Sequence, residues 1–172
     1  DMSRLKFNAL IARDIAREMA VPYLSNHLVE TIVCMEEMDV IGAYLAEELI
    51  ENGMIINSER DIHVLTPRIN VNGQLIFQQS TERFIHNKHV ILLVASAASG
   101  KTIDRTLDCL KYYNGELVGI SAIFTAAPKV SGHKIHALFN SQDIYGYKVY
   151  RPSQCVMCQK GQKLEAMIGY DG

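Results

Sequence analysis

The stretch His89-Val90-Ile91-Leu92-Leu93-Val94-Ala95-Ser96-Ala97-Ala98-Ser99-Gly100-Lys101-Thr102 constrains this chain more than any other. Its first half is an unbroken apolar run rich in branched side chains, the length of a strand buried on both faces. Strands of that kind belong to parallel sheets, so the run predicts an α/β protein. Its second half is a loop of small residues ending in Gly-Lys-Thr. Beyond it Ile103, Leu107 and Leu110 keep helical spacing, with Asp104 in the first turn. A glycine-containing loop that opens a helix turns backbone N–H groups outward and favours an anion, most often a phosphate. Ala98, Ser99, Gly100, Lys101 and Thr102 are therefore the candidate phosphate cup. The hydroxyls of Ser99 and Thr102 and the charge of Lys101 add to it. No carboxylate stands at the end of the strand.

The rest of the chain alternates strand and helix patterns. Leu5, Phe7, Leu10, Ile11, Ile15 and Met19 keep helical spacing, and Pro22 follows. Leu28 to Met35 reads as a strand. Val40, Ile41, Tyr44, Leu45, Leu49 and Ile50 make a helix face stopped by Gly53. Ile62 to Thr66 and Gln74 to Gln78 read as two strands of a hairpin joined through Asn70-Val71-Asn72-Gly73. Strands near 90–95, 117–124 and 135–139 and a helix near 103–113 complete the pattern. The expected fold is a doubly wound, mainly parallel α/β sheet with a β-hairpin flap. A single domain over residues 1–172 is expected, with no linker or repeat. The ligand belongs at the carboxyl ends of the strands, where Met35–Asp39 meets Val94–Thr102.

Composition narrows the function classes. A net charge of -2 argues against a nucleic-acid binder held by bulk electrostatics. No run of eighteen apolar residues exists, so no membrane span is expected. No secretory pattern is present, and a reducing cytoplasm suits the cysteines. Cys34 lies in an apolar strand and Cys109 on the helix after the cup, where both behave as small buried hydrophobes. Cys155 and Cys158 lie in Cys-Val-Met-Cys-Gln-Lys-Gly, half of a zinc knuckle. Tetrahedral zinc needs four ligands, and no second Cys-x-x-Cys exists. A partner copy completing the site and a reduced pair capping a C-terminal turn are both open. A redox pair needs a helix start after the first cysteine, which the sequence does not signal.

Two families write a strand, loop and helix in this way. Ala95 to Thr102 fits the loose form of the P-loop nucleotide-binding pattern, with alanine where the strict form has glycine. A P-loop enzyme also wants a later strand ending in Asp to hold magnesium, and Leu117–Phe124 ends without one. The second resemblance covers the chain from about Thr31 onward. "ETIVCMEEMDVIGAYLAEELIENG", the loop at 98–102, "ELVGISAIF", "HKIHALFNSQDI" and "YRPSQCVMCQKGQKLE" follow one another in the order and spacing of the type I phosphoribosyltransferases. The resemblance is greatest to the orotate branch. It implies a cup for a 5′-phosphate, a homodimer, and a hood segment upstream of the core, which is expected to be incomplete here. Residues 151–172 then form a C-terminal Cys-x-x-Cys tail.

The same resemblance implies three catalytic devices, and the sequence departs from each. An acidic pair binds the ribose hydroxyls and offsets developing positive charge in the family; Val94 and Ala95 stand at those positions. A glycine-rich loop wraps the pyrophosphate, usually with magnesium; here it reads Glu36-Glu37-Met38-Asp39 after Met35. Two like charges about 5 Å apart repel by roughly 3 kcal/mol at an effective dielectric near 20, so this loop rejects free pyrophosphate. Magnesium held by Glu36 and Asp39 reverses that sign. The flap offers Arg68, with Gln78 and Gln79 where the family tends to place arginines. The leading expectation is a diverged protein of nucleotide metabolism. It binds a phosphorylated small molecule, such as ribose 5-phosphate or a nucleotide monophosphate, and its phosphoribosyl transfer is weak or lost. A transferase with relocated acids and a P-loop protein are the alternatives.

Overall fold

The computed structural model describes residues 2–25, 27–53, 57, 60–150 and 152–163. In chain order its elements are α1 (Ser3–Phe7), α2 (Ala9–Ala20), β1 (Thr31–Cys34), α3 (Asp39–Asn52), β2 (His63–Leu65), β3 (Arg68–Ile69) and β4 (Leu75–Ile76). There follow α4 (Gln79–Glu82), β5 (His89–Ala97), α5 (Lys101–Tyr112), β6 (Glu116–Thr125), β7 (Lys129–Val130), β8 (His133–Asn140) and α6 (Val156–Gln159). Side-chain alternation along β5 explains the layers. Val90, Leu92 and Val94 enter one buried cluster, while Ile91, Leu93 and Ala95 enter the other. A strand that is apolar on both faces needs a cover on each. Helices α2 and α3 supply one through Ala12, Ala16, Ile41, Leu45 and Leu49; α5 supplies the other through Ile103, Cys109 and Leu110.

The resulting sheet has six strands in the order β2-β1-β5-β6-β8-β7. Neighbours from β2 to β8 run parallel, and only β7 is antiparallel, against β8. The doubly wound, mainly parallel architecture expected from β5 is the one observed. β1 ends at Cys34, which pairs with Leu93, so the turn after β1 runs alongside the last residues of β5. The turn after β1 and the loop after β5 therefore face each other.

The local structure differs from the sequence reading in three places. The single amphipathic helix read through residues 5–19 breaks at Asn8. Its side chain accepts from the N–H groups of Leu10 and Ile11, which makes it the N-cap of α2. The hairpin turn at Asn70–Gly73 forms, with Asn70 Oδ1 accepting from Asn72 and Gln74. Its second arm, β4, lies within the expected 74–78, but its first arm is β3 rather than 62–66. Residues 63–65 become β2 and extend the main sheet, pairing in parallel with β1. Finally β7 and β8 form a tight hairpin through Ser131 and Gly132, both at positive φ.

At the opposite end of the sheet from the cup, Glu30 Oε1 accepts from Lys88 Nζ at 2.8 Å, and Glu30 Oε2 lies 2.9 Å from His89 Nδ1. Burial works against its charge, but the bonds from Lys88 and His89 prevail and lower the carboxyl to about 2. A depressed carboxyl contributes stability above its unfolded value and loses it as pH falls through its folded value. Stability should therefore drop between about pH 4.5 and 2, by the order of 1–2 kcal/mol after solvent screening. Urea unfolding midpoints across that range check this, and Glu30→Gln should flatten the dependence.

Candidate functional site

The strand ahead of the cup runs further than the sequence suggests, while the cup itself begins at Ala98 as expected. Strand β5 continues through Ala97, whose carbonyl accepts from Ala126 N–H at 2.9 Å. The loop proper is Ala98-Ser99-Gly100, and α5 starts at Lys101. Gly100 sits at φ +77, in the left-handed region, and caps α5 without a side chain. The first N–H groups of a helix have no intrahelical acceptor, so those of α5 point into the space in front of the loop. That space is a recess of about 100 Å³ lined by Glu36 and residues 96–103. Ala98, Ser99 and Lys101 are exposed, and Thr102 is half-buried with its carbonyl accepting from Thr106 Oγ1 at 2.8 Å. The five residues proposed from sequence thus share one concavity.

Two residues missed in the sequence close the cup from outside. A Cβ built on Gly100 would stand 2.7 Å from Val130 Cγ1, so β7 lies directly against the loop. Ser131 Oγ donates to Asp104 Oδ1 in the first turn of α5. The only sequence signal for this cover was the Ser131-Gly132 dipeptide, a turn marker.

Val94 and Ala95 are fully buried, one in each core cluster. Their side chains do not reach the recess. A carboxylate nevertheless stands at the end of β5, supplied by the turn after β1. Glu36 Oε2 accepts from the N–H groups of Ala95 and Ser96, each at 3.0 Å. Hydrogen bonds to an ionised acceptor contribute about 1.5–3 kcal/mol each, so this placement is well held.

The acidic turn does not act as one cluster. Glu36 and Glu37 both have positive φ, at 56° and 61°, a strained conformation for residues with side chains. Buried Lys6 of α1 holds the turn, donating to the Glu36 carbonyl at 3.0 Å and to Glu37 Oε2 at 2.8 Å. Met38 is fully buried in the core. Asp39 opens α3 and accepts from Thr66 Oγ1. Glu36, Glu37 and Asp39 thus face three different partners. The repulsion argued for a shared pyrophosphate loop does not arise in this arrangement. Among the described residues no group of three or more His, Cys, Asp or Glu side chains converges to hold a metal.

The remaining candidates lie outside the recess. The Arg68 guanidinium is folded back on Gln78, 2.8 Å from Nη1 to the amide oxygen with that amide turned to face it. Cys155 is the N-cap of α6 and Cys158 lies in its first turn, and the structure supplies the helix start that the sequence did not signal.

No protein-family model matches the sequence, and no curated protein matches it. Solved structures match the fold. UMP synthase from Leishmania donovani superimposes with a TM-score of 0.58 at 16% identity over 83% of this chain, which spans 30% of that protein's length. A phosphoribosyltransferase from Corynebacterium diphtheriae matches at 0.58 and 15% identity, covering 83% of this chain and 82% of that one. Adenine phosphoribosyltransferase from Trypanosoma brucei, in complex with AMP, pyrophosphate and ribose-5-phosphate, matches at 0.58 and 14% identity, covering 93% and 80%. The chain has the type I phosphoribosyltransferase fold. No helix among the described residues is long and apolar enough to cross a membrane.

Proposed function

We propose that this chain binds a phosphorylated ribose, free or as a nucleotide monophosphate, at the recess before α5, and that its phosphoribosyl transfer is weak or lost. One observation carries the reading: the uncapped N–H groups of α5 and the Glu36 carboxylate line the same recess. The donors suit a phosphate, and the carboxylate suits the sugar hydroxyls. About 100 Å³ is the volume of roughly three liquid waters, enough for one phosphoryl group with the rest of the ligand outside. The placement of this recess at the strand ends of a phosphoribosyltransferase fold supports the assignment by analogy. Pairing of two copies belongs to the same proposal and is checked by light scattering.

Loss of transfer follows from Val94 and Ala95, which offer nothing to a developing sugar cation. Removing one such stabiliser typically costs about 10²–10³ in rate. Calorimetry with ribose 5-phosphate and monophosphates, with and without magnesium, tests binding. Orotate or adenine with phosphoribosyl pyrophosphate should release no pyrophosphate above background. Sustained release would instead establish the second reading, a working transferase in which Glu36 replaces the missing pair. The position of Glu36 at the end of β5 is what favours that alternative. The P-loop reading gains no support, since β6 ends at Thr125 without an acid.

A further inference from the structure

We propose that Cys155 and Cys158 form a dithiol–disulfide exchange site for small-molecule disulfides, separate from the phosphate recess. The four cysteines divide sharply. Cys34 is fully buried, and burial pushes its thiol far up. Cys109 is also buried, raised to about 11, and donates to the Leu75 carbonyl at 3.3 Å. Neither is reactive. Cys155 is half-buried and Cys158 exposed, three residues apart across one helical turn. Gln159 N–H donates to the Cys155 carbonyl and Gly161 N–H to the Cys158 carbonyl, both at 3.0 Å, which fixes that turn. Cys155 is the N-cap of α6 and Cys158 lies one turn on, which sets the two side chains on the same end of the helix.

The pair is also asymmetric. The N–H and thiol of Cys158 and the N–H of Met157 face the Cys155 sulfur and hold its thiol below the ordinary range, while Cys155 pushes that of Cys158 up. No third metal ligand approaches among the described residues, so both thiols are available for chemistry.

The exchange balances with a disulfide such as oxidised glutathione as the oxidant. The Cys155 thiolate attacks one sulfur of the disulfide, its S–S bond breaks, and one glutathione leaves as thiolate and takes a proton. Cys158 then loses its proton and attacks the Cys155 sulfur of the mixed disulfide, releasing the second glutathione. Two protein thiols are oxidised and one glutathione disulfide is reduced to two thiols.

The test equilibrates the full chain in glutathione redox buffers, alkylates free thiols and weighs the products. The expected product is two hydrogens lighter, with one peptide linkage joining Cys155 to Cys158 and with Cys34 and Cys109 still alkylated after unfolding. Cys158→Ser should trap one glutathionyl group on Cys155. In the reduced wild-type chain Cys155 should be alkylated about tenfold faster than Cys158, a difference abolished in urea. Retention of both thiols in excess oxidised glutathione overturns the proposal. So does glutathionylation of each without closure, or zinc at about one per two chains protecting the pair.

Discussion

Gly100→Val should abolish binding of ribose 5-phosphate and cost the fold about 2–6 kcal/mol. Two effects add. A side chain at φ +77 carries roughly 1–3 kcal/mol of backbone strain. Its Cβ also meets Val130 Cγ1 at 2.7 Å, and overpacking of this kind costs about 1–3 kcal/mol. The branches of valine then have the recess as their outlet. Urea unfolding measures the first consequence and calorimetry the second. The pair Gly100→Ala and Val130→Ala separates them. Combining the two should recover the contact cost but not the strain, giving a coupling of about 1 kcal/mol or more. Wild-type affinity for ribose 5-phosphate in Gly100→Val would show that the ligand does not use this loop.

What was legible in the sequence follows periodicity and local chemistry. Strand β5 was visible because both faces are apolar, and α3 and α5 because their buried positions recur at helical spacing. The turn at Asn70–Gly73 was visible because Asn70 closes it within five residues. The assignment of β2 to the flap failed for a reason of the same kind. An Asn-Gly turn between two β-like runs signals a hairpin, but only pairing with β1 tells that His63–Leu65 belongs to the main sheet. Helix α1 could not be separated from α2 by spacing alone, since Asn8 fits either a helix position or a cap. The candidate site shows the same limit. The acids at 36, 37 and 39 were evident, and so was the absence of acids at 94 and 95. Their link was not, because Lys6, Glu36 and Ala95 are brought together across 30 and 59 residues by packing of α1 and β5 on either side of one turn.

Glu36 is where the binding and catalytic readings meet, and its replacement should affect two ligands unequally. Glu36→Ala leaves the N–H groups of Ala95 and Ser96 without their acceptor. An unmet buried donor costs about 1–3 kcal/mol, but the recess is polar and large enough to admit water, so a net loss near 2 kcal/mol is expected. Glu36→Gln keeps an acceptor oxygen and should cost less. Both remove a negative charge from the wall of an anion site. A carboxylate roughly 6 Å from a phosphate repels it by about 3 kcal/mol at an effective dielectric near 20, and solvent and salt reduce that further. Inorganic phosphate should therefore bind on the order of tenfold more tightly to either variant. Ribose 5-phosphate should gain little, because its hydroxyls lose an ionised acceptor that contributes about 1.5–3 kcal/mol. The ratio of the two affinities, measured by calorimetry, is the decisive quantity. A fall in the preference for the sugar phosphate assigns Glu36 to the ribose. An unchanged ratio together with an unchanged phosphate affinity would mean that Glu36 only caps β5. The same variants in the pyrophosphate-release assay then decide whether that ribose contact also supports transfer.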